Sequence, residues 1–247
     1  MPILSSGLCD IGRKRKTNQD AIYLNPEKKL FVVADGMGGH NGGDIASAMA
    51  VKYIPSSLLS KSSINPIEGS VNSVLEANRL IKEKGQTDAK LSGMGTTVVS
   101  LFFHKGIAYI TNVGDSRAYL VHDHMLYQMT RDHSLVQEKL NVGIYSRTEA
   151  KNDPNKNVLV RTVGFDDDVE IDVFTYKVCR NDIFLTCSDG LSSKVSDEDI
   201  IYIVNKMLPD PSTATQKDID ATVKRLVDLA NENGGQDNIS VILVLAR

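Results

Sequence analysis

Apolar positions recur along this chain with two different periods, and each change of period marks a new block. Residues 3–9, 21–24 and 29–34 are short aliphatic or aromatic runs, and Asn25 and Pro26 between the last two predict a hairpin turn. Helical spacing follows. Ile45, Ala48, Met49, Lys52 and Tyr53 predict a helix over 43–54 that Pro55 ends. Val71, Val74, Leu75, Asn78 and Ile81 predict a second helix, from Pro66 in its first turn to a stop at Gly85.

The centre reads as strand again. Runs at 95–103, 107–112, 116–121 and 125–129 predict an antiparallel meander, and three more strands are expected at 158–163, 169–176 and 182–186. Between these groups, residues 134–154 are polar and weakly helical, as in a surface insertion. Two late helices are predicted. One spans 196–207, with Ser196 and Asp199 near capping-box spacing, and the other spans 215–233, with an apolar stripe of Ile219, Val223, Leu226, Val227 and Ala230. A strand over 239–245 closes the chain. Helix pairs beside two blocks of strands imply an α+β layered sandwich with helices outside.

Length and composition fit one domain over 1–247: 41% of residues are hydrophobic and 24% charged. The formal charge is −3, and the one basic run, Arg13 to Lys16, is short. No nucleic-acid partner is expected. Three cysteines without a C-x-x-C pair exclude a disulfide framework and fit a reducing, cytoplasmic setting. The N-terminus lacks the order of a signal peptide, and no apolar run approaches the ~20 residues that span a bilayer, so no membrane association is expected. In the absence of heptads, a monomer is expected.

The chemistry lies in acids at strand edges. Leu30 to Ala34 runs into Asp35-Gly36, and Ile183 to Ser188 runs into Asp189-Gly190; Asp20 opens a strand, and Asp237 precedes the last one. An Asp-Gly pair alone signals a turn. Four carboxylates at strand edges point instead to a hard cation, because Mg²⁺ and Mn²⁺ prefer oxygen ligands. The glycine-rich stretch from Asp35 to Asp44 contains neither a Walker nor a dinucleotide fingerprint, so a nucleotide fold is disfavoured.

Seven blocks carry a resemblance: Arg15-x-x-Asn18-Gln19-Asp20, Asp35-Gly36-Met37-Gly38-Gly39-His40, Gly93-Met94-Gly95-Thr96-Thr97, Asn112-Val113-Gly114-Asp115-Ser116-Arg117, Thr130-Arg131-Asp132-His133-Ser134, Ser188-Asp189-Gly190-Leu191 and Gly235-Gln236-Asp237-Asn238. In this order the chain resembles the PPM family of metal-dependent protein serine/threonine phosphatases, the type 2C phosphatases, in its compact bacterial form. The resemblance implies a four-layer α-β-β-α sandwich and a two-metal centre between the sheets, holding Mn²⁺ or Mg²⁺ with a third, weaker ion. By that resemblance Asp35 bridges both ions, the Gly36 carbonyl coordinates one, and Asp189 and Asp237 hold the other. Asp20 binds metal or metal-linked water, Asp132 helps hold the third ion, Arg15 grips the substrate phosphate, and residues 134–157 form a mobile flap. Hydroxide between two cations would attack phosphorus in phosphoserine or phosphothreonine. The implied partners are phosphorylated proteins, including a Ser/Thr kinase.

One position departs from the animal-type pattern, which has a histidine where this chain has Met37. His40 is then a candidate for substrate binding or proton donation. His104, His122, His124 and His133 are expected to be structural. Two rival readings remain. Gly114-Asp115-Ser116-Arg117-Ala118 partly matches a nucleophile elbow, but its last position is Ala and its context is strand-turn-strand. A silent regulatory module on the same fold would be marked by a lost carboxylate, yet all four are present.

Overall fold

A strand with an unbroken apolar run must be covered on both faces, and β3 (Leu30–Met37), apolar from Leu30 to Ala34, and β11 (Ile239–Ala246), apolar from Val241 to Ala246, are such strands. In the computed structural model, which describes residues 2–38, 42–60 and 65–247 (side chains of 147, 151 and 152 excepted), each is an inner strand of one of two antiparallel sheets. One sheet runs β1 (Ile3–Asp10), β11, β10 (Ile183–Cys187), β7 (Arg117–His122), β8 (Met125–Gln128). The other runs β2 (Asp20–Asn25), β3, β5 (Val98–His104), β6 (Ile107–Val113), β9 (Asp172–Lys177), with β4 (Gly95–Thr96) paired to β3.

Alternation along the strands builds three apolar layers. Phe31 and Val33 of β3 meet Phe184, Ile242 and Val244 between the sheets. Leu30, Val32 and Ala34 point the other way, onto α1 (Gly43–Ser60) and α2 (Pro66–Thr87). Val241, Leu243 and Leu245 of β11 pack outward against α6 (Asp197–Met207) and α7 (Gln216–Glu232). This is the expected α-β-β-α sandwich. The α7 stripe is buried as predicted, and Thr215 and Asp218 close its capping box.

Several local expectations fail for physical reasons. Pro55 lies inside α1, buried, and the helix continues to Ser60. Proline costs one intrahelical hydrogen bond, and burial of Ile54 and Leu58 offsets that loss. The same helix is turned from the predicted stripe, so that small Ala46 and Ala50 face the sheet and Ala48 is exposed. Gly85 does not stop α2, which reaches Thr87. The meander is split: β5 and β6 pair in one sheet, and the chain then crosses at 114–116 to place β7 and β8 in the other. Residues 158–163 form no strand. Their β-pairing is limited to the isolated bridges Ser134↔Leu159 and Thr96↔Val163, while Val163 is buried in the core and Arg161 pairs with Glu170 and Asp172. The polar insertion contains α3 (Leu135–Asn141) and α4 (Arg147–Asn152). A short helix that was not expected, α5 (Asp189–Ser192), follows β10.

Candidate metal centre

The sandwich brings the acids together because each lies at the same end of its strand. Asp20 and Asp35 face each other across the β2–β3 ladder. Asp189 follows β10, and Asp237 precedes its antiparallel neighbour β11. Asp115 lies in the crossing from β6 to β7. Cross-sheet hydrogen bonds hold this end closed. Ser188 Oγ donates to Asp20 Oδ2 at 2.7 Å, Gln19 N–H donates to Asn238 Oδ1 at 2.8 Å, and Asn238 Nδ2 donates to the Ile11 and Thr17 carbonyls.

The peptide of Asp35 is gripped at both ends, which explains the break between β4 and β5. Its N–H donates to Thr97 Oγ1 at 3.1 Å, and its carbonyl accepts from Thr97 N at 2.8 Å and Thr96 Oγ1 at 2.9 Å. Thr97 thus leaves the ladder in order to fix the acid. Glycine is required beside two of the acids. A Cβ at Gly36 would collide with the Gly43 carbonyl oxygen and lie 2.6 Å from that of Gln19; one at Gly190 would collide with the carbonyl oxygen of Asn238.

These carboxylates are poorly compensated. Burial, and next the charges of Asp20 and Asp189, push Asp35 well above the carboxylate range. Burial is also the leading cause for Asp20, raised to about 6, and for Asp115, raised to about 7 with Asp189 next. Asp189 is raised by burial and then by Asp237. Asp20 Oδ1 is buried and accepts no hydrogen bond. Nearby cations are few. Arg15 Nη2 lies 2.7 Å from Asp237 Oδ2 with half its side chain exposed, while Arg117 is committed to Asp132 through a two-pronged contact at 2.9 and 2.7 Å. An all-oxygen, acid-rich pocket with an orphaned carboxylate oxygen fits hard divalent cations.

The candidate residues Asp20, Asp35, Gly36, Asp189, Asp237 and Arg15 therefore share one end of the sandwich. Asp132 lies beside them. It lines a cavity of about 290 Å³ together with Asp115, Arg117, Asp189 and, from the insertion, Gln137 and Lys156. His40 lies outside the described residues. Sequence reasoning passed over Ser188, Thr97 and Asn238 as individuals, although each stood in a quoted block, because their work is a long-range hydrogen bond. Ser116 is fully buried with its Oγ 2.7 Å from Thr97 Oγ1, and strands flank it on both sides, so it is no nucleophile. His133 is buried, and its Nδ1 accepts the Gly114 N–H that holds the turn of Asp115.

The chain is similar to known proteins in sequence and in fold. The family model for protein phosphatase 2C matches residues 12–243. The serine/threonine phosphatase stp of Listeria monocytogenes serotype 4b (strain F2365) is 37% identical over 242 residues, covering 95% of this chain and 92% of that protein. The crystal structure of the Mycobacterium tuberculosis serine/threonine phosphatase PstP/Ppp superposes with a TM-score of 0.90 at 29% identity over the whole of both chains. The catalytic domain of serine threonine protein phosphatase PstP in complex with two manganese ions gives a TM-score of 0.85 at 28% identity over 99% of both chains. With cleft, fold and family model in agreement, the chain belongs to the protein phosphatase 2C family, the PPM-type protein serine/threonine phosphatases.

Proposed function

We propose that this phosphatase uses two divalent cations, Mn²⁺ or Mg²⁺, and holds them on Asp35, the Gly36 carbonyl, Asp189 and Asp237, with Asp20 completing the shell. The observation that carries the assignment is the convergence of buried carboxylates, each raised by burial and its neighbours, around an Asp20 oxygen that has no donor. Bound there, such ions supply positive charge for the phosphoryl group and a more acidic water.

The chain's own groups do the rest. Arg15 is the phosphate ligand: its guanidinium is half exposed, and the donors not given to Asp237 can fork onto two phosphate oxygens. Ser188, Asn238, Thr96 and Thr97 keep the acids oriented, so that little reorganisation accompanies reaction. Asp132, which accepts from Arg117 and from Gln128 Nε2, is the ligand for a third, weaker ion that would displace part of this bonding. The segment 134–157 is the flap, and its Gln137 and Lys156 line the cavity where the substrate chain would lie beside the phosphate.

The substrates are phosphoserine- and phosphothreonine-bearing proteins, among them a Ser/Thr kinase, met by a monomeric single-domain enzyme in the cytoplasm. Among the described residues no helix is long and apolar enough to cross a membrane. All four strand-edge carboxylates are present, so nothing favours a silent regulatory module. Hydrolysis of p-nitrophenyl phosphate and of a phosphothreonine peptide, measured with Mn²⁺, with EDTA, and with Asp189→Asn, tests the assignment. Activity that requires metal and disappears in the variant supports it; metal-independent activity, or full activity in the variant, rejects it.

A further inference from the structure

At the opposite end of β10 from Asp189, three side chains of unlike chemistry meet. His122 ends β7, Asp182 precedes β10, and Cys179 begins the turn between β9 and β10. One potential ligand atom from each lies within 4.8 Å of the other two, and among the described residues no other group of three or more His, Cys, Asp or Glu does so. Five strand residues at ~3.3 Å each separate this point from the carboxylate cleft by about 17 Å. We propose that His122, Cys179 and Asp182 form a second cation site, chemically distinct from the cleft and suited to zinc.

Asp182 is nearly fully buried, and both its oxygens point into the cluster: Oδ1 lies 2.6 Å from His122 Nδ1, and Oδ2 accepts the Cys179 N–H at 2.6 Å. The buried carboxylate therefore already orients the two other ligands. Asp123 adds a further oxygen 3.5 Å from His122 Nε2. A cavity of about 270 Å³ adjoins the cluster on its His122 and Asp182 side, lined also by Asp123, Arg180 and Asn181, which leaves room for water there. Asn181 Oδ1, on the same wall, is buried without a donor. The His122–Asp182 contact alone is an ordinary ion pair, and the Cys179 thiol makes only a long 3.9 Å contact to the Lys177 carbonyl, but neither accounts for the unpartnered amide oxygen.

The donor set decides the ion. Thiolate, imidazole and carboxylate with one open position suit tetrahedral Zn²⁺, whereas the all-oxygen cleft suits Mn²⁺ or Mg²⁺. On binding, the cation replaces the thiol proton and the proton shared by His122 and Asp182, and both protons pass to solvent. The ion would tie the β7–β8 turn to the start of β10 and the end of β9.

Cobalt(II) titration of the full, reduced, chelator-treated chain tests this, because a cobalt–thiolate bond gives a near-ultraviolet charge-transfer band that oxygen ligands do not. The band should saturate at one equivalent, persist in Asp35→Asn, be displaced by zinc, disappear in Cys179→Ser and weaken in His122→Asn. Cys179 is exposed, so its serine variant should keep the fold and its phosphatase activity. Three results overturn the site: no thiolate band from folded, reduced protein; a band unchanged in Cys179→Ser, which would assign the sulfur to Cys9 or Cys187; or a band seen only in large cobalt excess and indifferent to His122→Asn.

Discussion

Ser188 Oγ donates to Asp20 Oδ2 at 2.7 Å and accepts the Ser240 N–H at 3.0 Å, so one buried hydroxyl links an acid of one sheet to the backbone of the other. Ser188→Ala strands both partners. The expected cost is about 1–3 kcal/mol of stability, with Mn²⁺ affinity weakened ~10- to 100-fold through loss of an orienting contact. Thermal unfolding and calorimetric Mn²⁺ titration measure the two effects separately. Wild-type affinity in the variant would show that Asp20 is not oriented by this bond.

Gly190 approaches the Asn238 carbonyl so closely that no side chain fits. Gly190→Ala should therefore force the start of α5 away from β11 and cost about 1–3 kcal/mol or more in urea denaturation. A midpoint equal to that of the wild type would mean that this backbone approach is looser than described.

Acid should strengthen the metal-free fold. Asp20 and Asp115 have folded values of about 6 and about 7, above the ordinary ~4 of an unfolded carboxyl, so the native state binds more protons than the unfolded chain between those limits. With chelator present, the stability these two acids contribute is full below about pH 4 and is lost as pH rises through their folded values. Saturating Mn²⁺ reverses the slope, because protons and cations compete for the same oxygens. Denaturation curves at pH 5.5 and 8, with and without metal, give both signs; a chelated protein more stable at pH 8 would contradict the account.

Arg15→Ala should lower kcat/KM for a phosphomonoester about 10- to 100-fold, the worth of one or two charge-assisted bonds, and Arg15→Lys should recover part of it. Because Arg15 also meets Asp237, Mn²⁺ binding is measured alongside. A fall in activity that Mn²⁺ concentration fully restores would make Arg15 an organiser of the metal shell and not a phosphate ligand.

What the chain disclosed in advance follows the range of the forces involved. The stripe of α7, from Ile219 to Ala230, and the apolar run ending at Asp35 are local patterns, and both were readable. Pro55 misled because its local penalty is outweighed by burial against α2 and β3, a tertiary fact. Thr97 broke a strand for a bond to residue 35, and residues 158–163 had strand composition but no ladder to join. The role of Asp115 as a neighbour of Asp189 depends on a crossing between sheets that no local pattern signals.

The central claim is that the buried carboxylates hold two hard cations, and Asp35 is the acid on which the other charges converge. Electron paramagnetic resonance of free Mn²⁺ against protein concentration counts the bound ions directly, in wild type and in Asp35→Asn. That variant removes a repelled charge, so its metal-free fold should be at least as stable as wild type. At least two Mn²⁺ should be bound by wild type, and that binding should be lost in folded Asp35→Asn. Undiminished Mn²⁺ binding by the variant would contradict it.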